Sequence, residues 1–171
     1  MIATLPQELV AELESIVGTR WVRKRAAELQ VFDADGLPGY RQLPSLAVLP
    51  GTRDELIAIV RALAVRNIAF VPRGAGTGLS GGALGNDIVV IGLNRLTRIL
   101  TIDAENGLAH VEPGVVNVNL GRAAAPFGLQ YAPDPSSQSA CTIGGNVAEN
   151  AGGPHCLKYG CLLYTSPSPR D

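Results

Sequence analysis

Glycine is distributed very unevenly along this chain, and this restricts the fold more than any other feature. The 171 residues include 20 glycines, which concentrate in two stretches, residues 74–85 and residues 144–160. Because glycine lacks a Cβ, it permits positive φ angles and a close approach of the backbone to another group. The two stretches therefore predict two segments of backbone built for close contact.

The first stretch follows a predicted strand and places Gly76, Gly78 and Gly81 at the spacing G-x-G-x-x-G. In a Rossmann fold, such a loop opens a helix whose N-terminus meets the pyrophosphate of a dinucleotide. Here only residues 84–87 separate the loop from the next predicted strand, so no helix fits. The Gly-Lys-Ser/Thr sequence of a P-loop is also missing. The sequence therefore argues against both of these nucleotide-binding folds.

The composition of the same loop nevertheless favours an anion site. Consecutive backbone N–H groups in a glycine-rich loop can form a concave surface that binds phosphate oxygens. Thr77 and Ser80 add hydroxyl donors, and Arg73 adds a positive charge with planar donors. The alternative is a flexible hairpin loop without a ligand, which six glycines in twelve residues disfavour.

The second stretch belongs to a longer segment, residues 131–160, that is rich in small residues, hydroxyls and amides and nearly uncharged. A wall of this composition can lie flat against a planar ring and hydrogen-bond to its edge. The alternative is a surface loop. A structureless loop of this length is uncommon unless it is functional.

Apolar periodicity and turn residues predict the regular elements and an α+β or mixed α/β domain. The expected helices span residues 5–17, 52–63 and 116–127, with a helical continuation at 21–30 and a helical turn near 146–150. The expected strands span residues 46–49, 68–71, 88–91, 98–103 and 108–112, of which the last two form a hairpin. Residues 33–43 are expected to be a connecting loop. Thr52 with Glu55 predicts a capping box.

In this order and separation, the two segments resemble the FAD-binding (PCMH-type) domain of the vanillyl-alcohol-oxidase type of flavoproteins. More narrowly, residues 73–83 and 133–160 resemble the family of FAD-linked glycolate oxidase subunits and D-2-hydroxyacid dehydrogenases. The resemblance implies an α+β fold, comprising the first subdomain of that domain and the start of the second.

The resemblance also implies that the first loop binds the FAD pyrophosphate and that the second segment lines the flavin and its ribityl chain. Some relatives attach FAD covalently through a histidine in the first loop. No histidine lies between Arg73 and Asn86, so the FAD is expected to be non-covalent. The cofactor-binding residues expected on this basis are Arg73, Gly74, Ala75, Gly76, Thr77, Gly78, Gly81, Gly82, Ala83, Pro133, Ser137, Ser139, Cys141, Thr142, Gly144, Gly145, Asn146, Asn150, Gly152 and Gly153.

The implied activity is oxidation of a 2-hydroxy acid, such as glycolate or D-lactate, to a 2-oxo acid by hydride transfer to flavin N5. D-2-hydroxyglutarate oxidation, a transferase of the alkyl-dihydroxyacetone-phosphate synthase type and a non-catalytic flavin module remain alternatives. Iron–sulfur and second flavin-type subunits are implied partners. In the family, the substrate-binding residues lie mostly in a later domain, so no catalytic residue is expected within this chain.

Charge and cysteine content limit the remaining classes. The formal net charge is −1 with no basic block, which argues against nucleic-acid binding. No apolar run reaches transmembrane length, and three cysteines make no disulfide framework, so a cytoplasmic location is expected. Peripheral attachment at the inner face of the membrane is left open.

Several polar residues have a structural as well as a functional interpretation. The spacing of Cys141, His155 and Cys156 matches no zinc pattern, so no metal site is expected. Asp134 and Glu149 are expected to make structural hydrogen bonds rather than to act as acid–base groups. Trp21 with its neighbouring arginines could form a partner-docking patch, but a solvated helix face is the simpler interpretation.

The expected domain boundaries follow from the resemblance. Residues 1–35 form an N-terminal helical segment and residues 36–160 a truncated FAD-binding domain. Residues 161–171 resemble the translation of a sequencing adapter and are expected to be non-native. The chain as written is therefore expected to bind FAD poorly and to turn over no hydroxy acid.

Overall fold

The computed structural model describes residues 5–156, which divide after Leu96 into two units. The first unit contains α1 (Gln7–Val17), β1 (Val22–Arg23), α2 (Ala26–Leu29), β2 (Leu46–Val48), α3 (Arg53–Val65), β3 (Phe70–Arg73) and β4 (Val89–Gly92). The second contains β5 (Ile99–Asp103), β6 (Leu108–Val111), α4 (Asn117–Ala124) and α5 (Ile143–Ala148). Short 3₁₀ helices lie at Thr19–Trp21, Gln30–Phe32 and Ala125–Phe127.

The sheet of the first unit has the strand order β1-β2-β4-β3. Strands β2, β3 and β4 are parallel, and Val90 of β4 lies between Ala47 of β2 and Val71 of β3. Parallel neighbours need crossover connections. Helix α3 connects β2 to β3, whereas the glycine-rich residues 74–88 connect β3 to β4 without a helix. The absence of a helix after the first glycine stretch is thus confirmed.

Apolar side chains cover both faces of this sheet. On one face, Leu9 and Leu13 of α1 and Ile59 and Leu63 of α3 are fully buried in the main core cluster. On the other face, Leu29 of α2 packs with the central strands. Burial on both sides explains why β2 and β4 are continuous apolar runs rather than alternating ones.

The predicted helical continuation at residues 21–30 is wrong for its first part. Val22 and Arg23 instead form β1, which pairs antiparallel with β2. Val22 is buried, and the backbone N–H of Leu49 donates to the Trp21 carbonyl. Pairing with an existing strand overrides the helical preference of the sequence, because it satisfies the backbone and buries an apolar side chain at once.

The predicted cap of α3 is confirmed in part. The Thr52 side chain accepts a hydrogen bond from the Glu55 N–H at 3.1 Å. The Glu55 carboxylate, however, accepts from the Gly51 N–H at 2.6 Å rather than from Thr52. The acid therefore fixes the turn before the helix, one residue earlier than in a standard capping box.

The second unit contains the predicted hairpin and two helices. Strands β5 and β6 are antiparallel, and the Asp103 carboxylate accepts from the Asn106 backbone and side chain in the turn. Helix α5 begins at Ile143, three residues earlier than the predicted turn, because Thr142 caps it through the Gly145 N–H. The α+β class is confirmed, whereas the boundaries 1–35 and 36–160 stay predictions and residues 161–171 lie outside the described part of the chain.

Candidate functional site

One candidate site, in the first unit, is the glycine loop, residues 74–85, which begins at the carboxyl end of β3. Within residues 5–156, no backbone N–H of residues 74–83 donates to a backbone carbonyl of another turn or loop. Gly76 and Gly81 have φ angles of 70° and 72°, a conformation that glycine adopts without steric cost. A run of unused donors on such a backbone has the chemistry of an anion site.

Arg73 lies at the base of this loop and is 7 % exposed. Its Nη2 donates to the Ala34 carbonyl at 2.6 Å, whereas its buried Nη1 has no hydrogen-bond partner among the described residues. Burial lowers the pKa of the guanidinium, and the nearby Asp35 and Asp33 partly oppose that shift. Arginine nevertheless remains charged at neutral pH. The loop therefore holds a buried cation with an unused donor, which an anionic ligand would satisfy.

Residues 33–43 support the glycine loop, whereas the sequence predicted them to be only a connecting loop. A Cβ added at Gly36 would lie 2.7 Å from the Thr77 carbonyl oxygen, and one at Gly81 would lie 3.1 Å from the Tyr40 ring. The Gln42 side chain accepts from the Asn86 N–H at 2.9 Å. The sequence feature that could have indicated this role is Gly36, because its lack of a Cβ permits the close contact.

A separate candidate site, in the second unit, is the small-residue segment, residues 131–156, whose backbone is held by α4 and the residues before it. The Asn117 amide, 3 % exposed, donates to the Pro133 carbonyl at 2.9 Å. The Asn117 backbone N–H donates to Cys141, and the Gly144 N–H donates to Pro113. Asn117 was not among the predicted site residues, since an asparagine near a helix start is common and does not by itself indicate a binding site.

Asp134 ties the two ends of this segment together. Its backbone N–H donates to the Gly152 carbonyl at 3.2 Å, and its Oδ2 lies 2.6 Å from Nδ1 of His155. Gly153 has a φ angle of 73° and approaches the Asp134 backbone so closely that a Cβ would lie 2.5 Å from its carbonyl oxygen. The predicted structural role of Asp134 in hydrogen bonding is confirmed.

Asn146 is the most unusual polar residue of the second unit. It is 1 % exposed, and neither its amide nitrogen nor its amide oxygen has a hydrogen bond of normal geometry among the described residues. Burial raises the pKa of Tyr131, and a hydrogen bond with the Asn146 side chain opposes that shift, so Tyr131 is a weak partner of this amide. A buried amide with so few partners is costly, and a bound ligand is one way to satisfy such a group.

The structure separates the predicted cofactor-binding residues into two contiguous sets, one in each unit. Within the small-residue segment, Cys141 and Thr142 are buried, whereas Ser139 is exposed. Contact of these residues with a cofactor stays a prediction. The described residues hold no group of three or more histidine, cysteine or acidic side chains suited to a metal ion. Cys141 and Cys156 are free thiols.

Comparison with protein families matches residues 44–164 to the model described as "FAD binding domain". Among curated proteins, the chain is 49% identical over 138 residues to the glycolate oxidase subunit GlcD of Escherichia coli K12, covering 80% of this chain and 28% of that protein. It is 34% identical over 152 residues to a D-2-hydroxyglutarate dehydrogenase of Xanthomonas citri, covering 88% and 32% of the two chains. The chain thus spans less than a third of these relatives.

Solved structures show the same fold. An alkyldihydroxyacetonephosphate synthase superposes with a TM-score of 0.85 at 20% identity, over 95% of this chain and 32% of that one. The 4-ethylphenol oxidase of Gulosibacter chungangensis superposes with a TM-score of 0.74 at 25% identity, over 86% and 29%. Within the part of the chain that the structure describes, no helix is long and apolar enough to cross a membrane.

Proposed function

Because this chain belongs to the family of FAD binding domains, we propose that it forms the FAD-binding part of an oxidoreductase that converts a 2-hydroxy acid to a 2-oxo acid. The glycolate oxidase, D-lactate dehydrogenase and D-2-hydroxyglutarate dehydrogenase relatives support this reaction class. The likeness to the alkyldihydroxyacetonephosphate synthase, at 20% identity, supports the fold alone.

The residues present fit the cofactor. FAD carries a pyrophosphate that needs several donors and a planar ring system whose edge needs both donors and acceptors. The glycine loop offers unused N–H groups and the unused Nη1 of Arg73 for the first requirement. The buried Asn146 amide offers both a donor and an acceptor for the second.

The unsatisfied Arg73 Nη1 and Asn146 amide are the observation that carries the assignment of residues. We expect Arg73 and the glycine loop to bind the pyrophosphate, and the small-residue segment to line the flavin and its ribityl chain. FAD, when bound, supplies the ring that accepts the hydride. Attachment is expected to be non-covalent, because the segment between Arg73 and Asn86 contains no histidine.

The proposal extends to the setting of the protein. The relative GlcD is named as a subunit of glycolate oxidase, which supports the proposal of partner subunits. Iron–sulfur and second flavin-type subunits are the partners that the family resemblance implies. A cytoplasmic location, with peripheral contact at the inner face of the membrane, fits the free cysteines Cys141 and Cys156. Catalytic residues are expected outside this chain, which spans 28% of GlcD.

The test begins with sequencing of the source DNA past codon 160, because residues 161–171 are expected to be non-native. The chain is then expressed together with the reading frame found there. The extended protein should bind FAD stoichiometrically, and glycolate, D-lactate or D-2-hydroxyglutarate should bleach its flavin absorbance under anaerobic conditions. A protein without flavin would contradict the FAD assignment. A flavoprotein that none of the three acids reduces would contradict the substrate class.

A further inference from the structure

The segment around Trp21 was predicted to be a solvated helix face. In the structure it lines a cleft of about 550 Å³ in the first unit. The lining residues are consecutive from Thr19 to Arg25, with Glu28 added from α2. They belong to a 3₁₀ turn, the edge strand β1 and the start of α2 rather than to one helix. We call this region the basic cleft.

The basic cleft has a strong excess of positive charge. Its lining includes the cations Arg20, Arg23, Lys24 and Arg25 and a single carboxylate, Glu28. Within the described residues, neither Arg20 nor Arg23 forms an ion pair at contact distance, although Arg23 lies close enough to Glu28 to interact with it electrostatically. Arg20, and in part Arg23, therefore remain available to an anion. A concave surface with one sign of charge concentrates ions of the opposite sign.

Cation–π contacts and hydrogen bonds restrain the side chains of the cleft. The Arg95 guanidinium carbon lies 3.7 Å from the centre of the Trp21 ring, and Arg95 is anchored through a 2.6 Å hydrogen bond from Nη1 to the Leu49 carbonyl. The Arg20 guanidinium carbon also lies over the Trp21 ring, at 4.4 Å. The Arg23 side chain donates to the Arg20 carbonyl. These contacts reduce the entropy that the arginines would lose on binding a ligand.

The cations at the cleft already bind carboxylates. Lys24 Nζ lies 2.7 Å from Glu14 Oε1, and Arg25 Nη2 lies 2.9 Å from Glu28 Oε1. Arginine also matches carboxylate geometry through paired donors. The lining contains no exposed large apolar side chain that could enter a bilayer, and a membrane-binding surface is typically amphipathic. Carboxylates spaced along a peptide therefore fit the row of cations better than a lipid surface does.

We propose that the basic cleft is a docking site for an acidic segment of a partner polypeptide. Arg20 and Arg23 bind carboxylates of that segment, whereas Lys24 and Arg25 are already paired with Glu14 and Glu28. The proposal is independent of FAD binding, because none of these residues belongs to the glycine loop or to the small-residue segment.

The test uses the fluorescence of Trp21, which is the single tryptophan of the chain and lies in the cleft. The protein is titrated with a short polyglutamate peptide, with polyglutamine of equal length as the uncharged control. We expect a saturable change with polyglutamate that weakens with added salt, and no change with polyglutamine. No saturable change with polyglutamate, or an equal change with polyglutamine, would overturn the proposal.

The double variant Arg20→Gln/Arg23→Gln should weaken polyglutamate binding roughly tenfold. The matched control Arg53→Gln/Arg61→Gln removes the same charge from exposed positions of α3 and should bind as the parent does. Equal weakening in both variants would show only a net-charge effect and would overturn the docking site. If the double variant fails to fold, the single variant Arg20→Gln should still weaken binding, and unchanged binding would refute the proposal.

Two further probes distinguish other ligands. Tight binding of inorganic pyrophosphate, or of phosphatidylglycerol vesicles, without binding of polyglutamate would overturn the proposal in favour of a phosphate or membrane site. Flavin content, measured on the extended protein with the same substitutions, reports the proposed function separately from the titration of the 171-residue chain. A fully flavin-loaded Arg20→Gln/Arg23→Gln variant with weak peptide binding supports the docking site alone.

Discussion

Gly153 provides the sharpest test of how the small-residue segment is built. A Cβ at this position would lie 2.5 Å from the Asp134 carbonyl oxygen and 2.7 Å from its Oδ1. The φ angle of 73° adds a second cost, because L-residues in the left-handed region lose about 1–2 kcal/mol. Overpacking against backbone costs a further 1–3 kcal/mol or so. Gly153→Ala should therefore lower the free energy of unfolding by about 2–5 kcal/mol.

Gly128 is the matched control, because its φ angle is 70° but nothing lies within 4 Å of an added Cβ. Gly128→Ala should lose only the conformational term of about 1–2 kcal/mol. The effect of alanine on the unfolded chain is the same in both variants and cancels in their difference. Urea denaturation of the protein without FAD gives this difference directly, and it corresponds to roughly 2–12 °C in Tm. Equal destabilisation by the two variants would refute the close approach of Gly153 to Asp134.

The remaining predictions concern Arg73, Asn146 and Glu112. Arg73→Lys should weaken FAD binding roughly tenfold or more by equilibrium dialysis, since lysine cannot supply the paired donors, whereas the exposed control Arg122→Lys should not. Asn146→Leu should weaken FAD binding. It should leave the FAD-free protein equally or more stable in thermal unfolding, because it removes an unsatisfied buried amide. A destabilised FAD-free variant would show that the amide has protein partners. Hydrogen bonds from Arg98 lower the pKa of Glu112. The ionised carboxylate therefore stabilises the fold fully at pH values above the ordinary carboxyl pKa. This stabilisation is lost as the pH falls through the lowered pKa of the folded state. Glu112→Gln should therefore destabilise the protein at neutral pH and matter progressively less in acid, and a pH-independent effect would exclude the ion pair as its cause.

Most of the regular elements could be predicted from the sequence. The strands around Ala47 and Val90 are continuous apolar runs bounded by turn residues, and such runs are readable without a structure. The cap at Thr52 and the hairpin turn at Asn106 depend on neighbouring residues alone, so the local sequence suffices. The same holds for the exclusion of a Rossmann helix after Gly81, since the number of intervening residues leaves no room.

Elements whose form depends on distant partners were not predicted. Val22 and Arg23 form a strand only because β2 offers an open edge. Local propensity does not depend on distant strands, so it could not predict this pairing. The start of α5 was predicted too late because Gly144 and Gly145 are typical loop residues. In the structure Gly144 packs against Pro113, and the Gly145 N–H donates to the Thr142 side chain. Tertiary contacts override weak local preferences in both cases.

The sequence by itself determined the chemical character of the candidate site. Glycine density, the adjacent Arg73 and the uncharged run of small residues define an anion-binding loop and a ring-lining wall, because residue type alone sets which groups are available. Only the tertiary structure decided which of these groups are left without partners. Arg73, for example, is buried with one donor bound to the carbonyl of Ala34, which is distant in sequence, and with another donor left unused. Hydrogen bonding is short-ranged and directional, so satisfaction is a property of the folded chain.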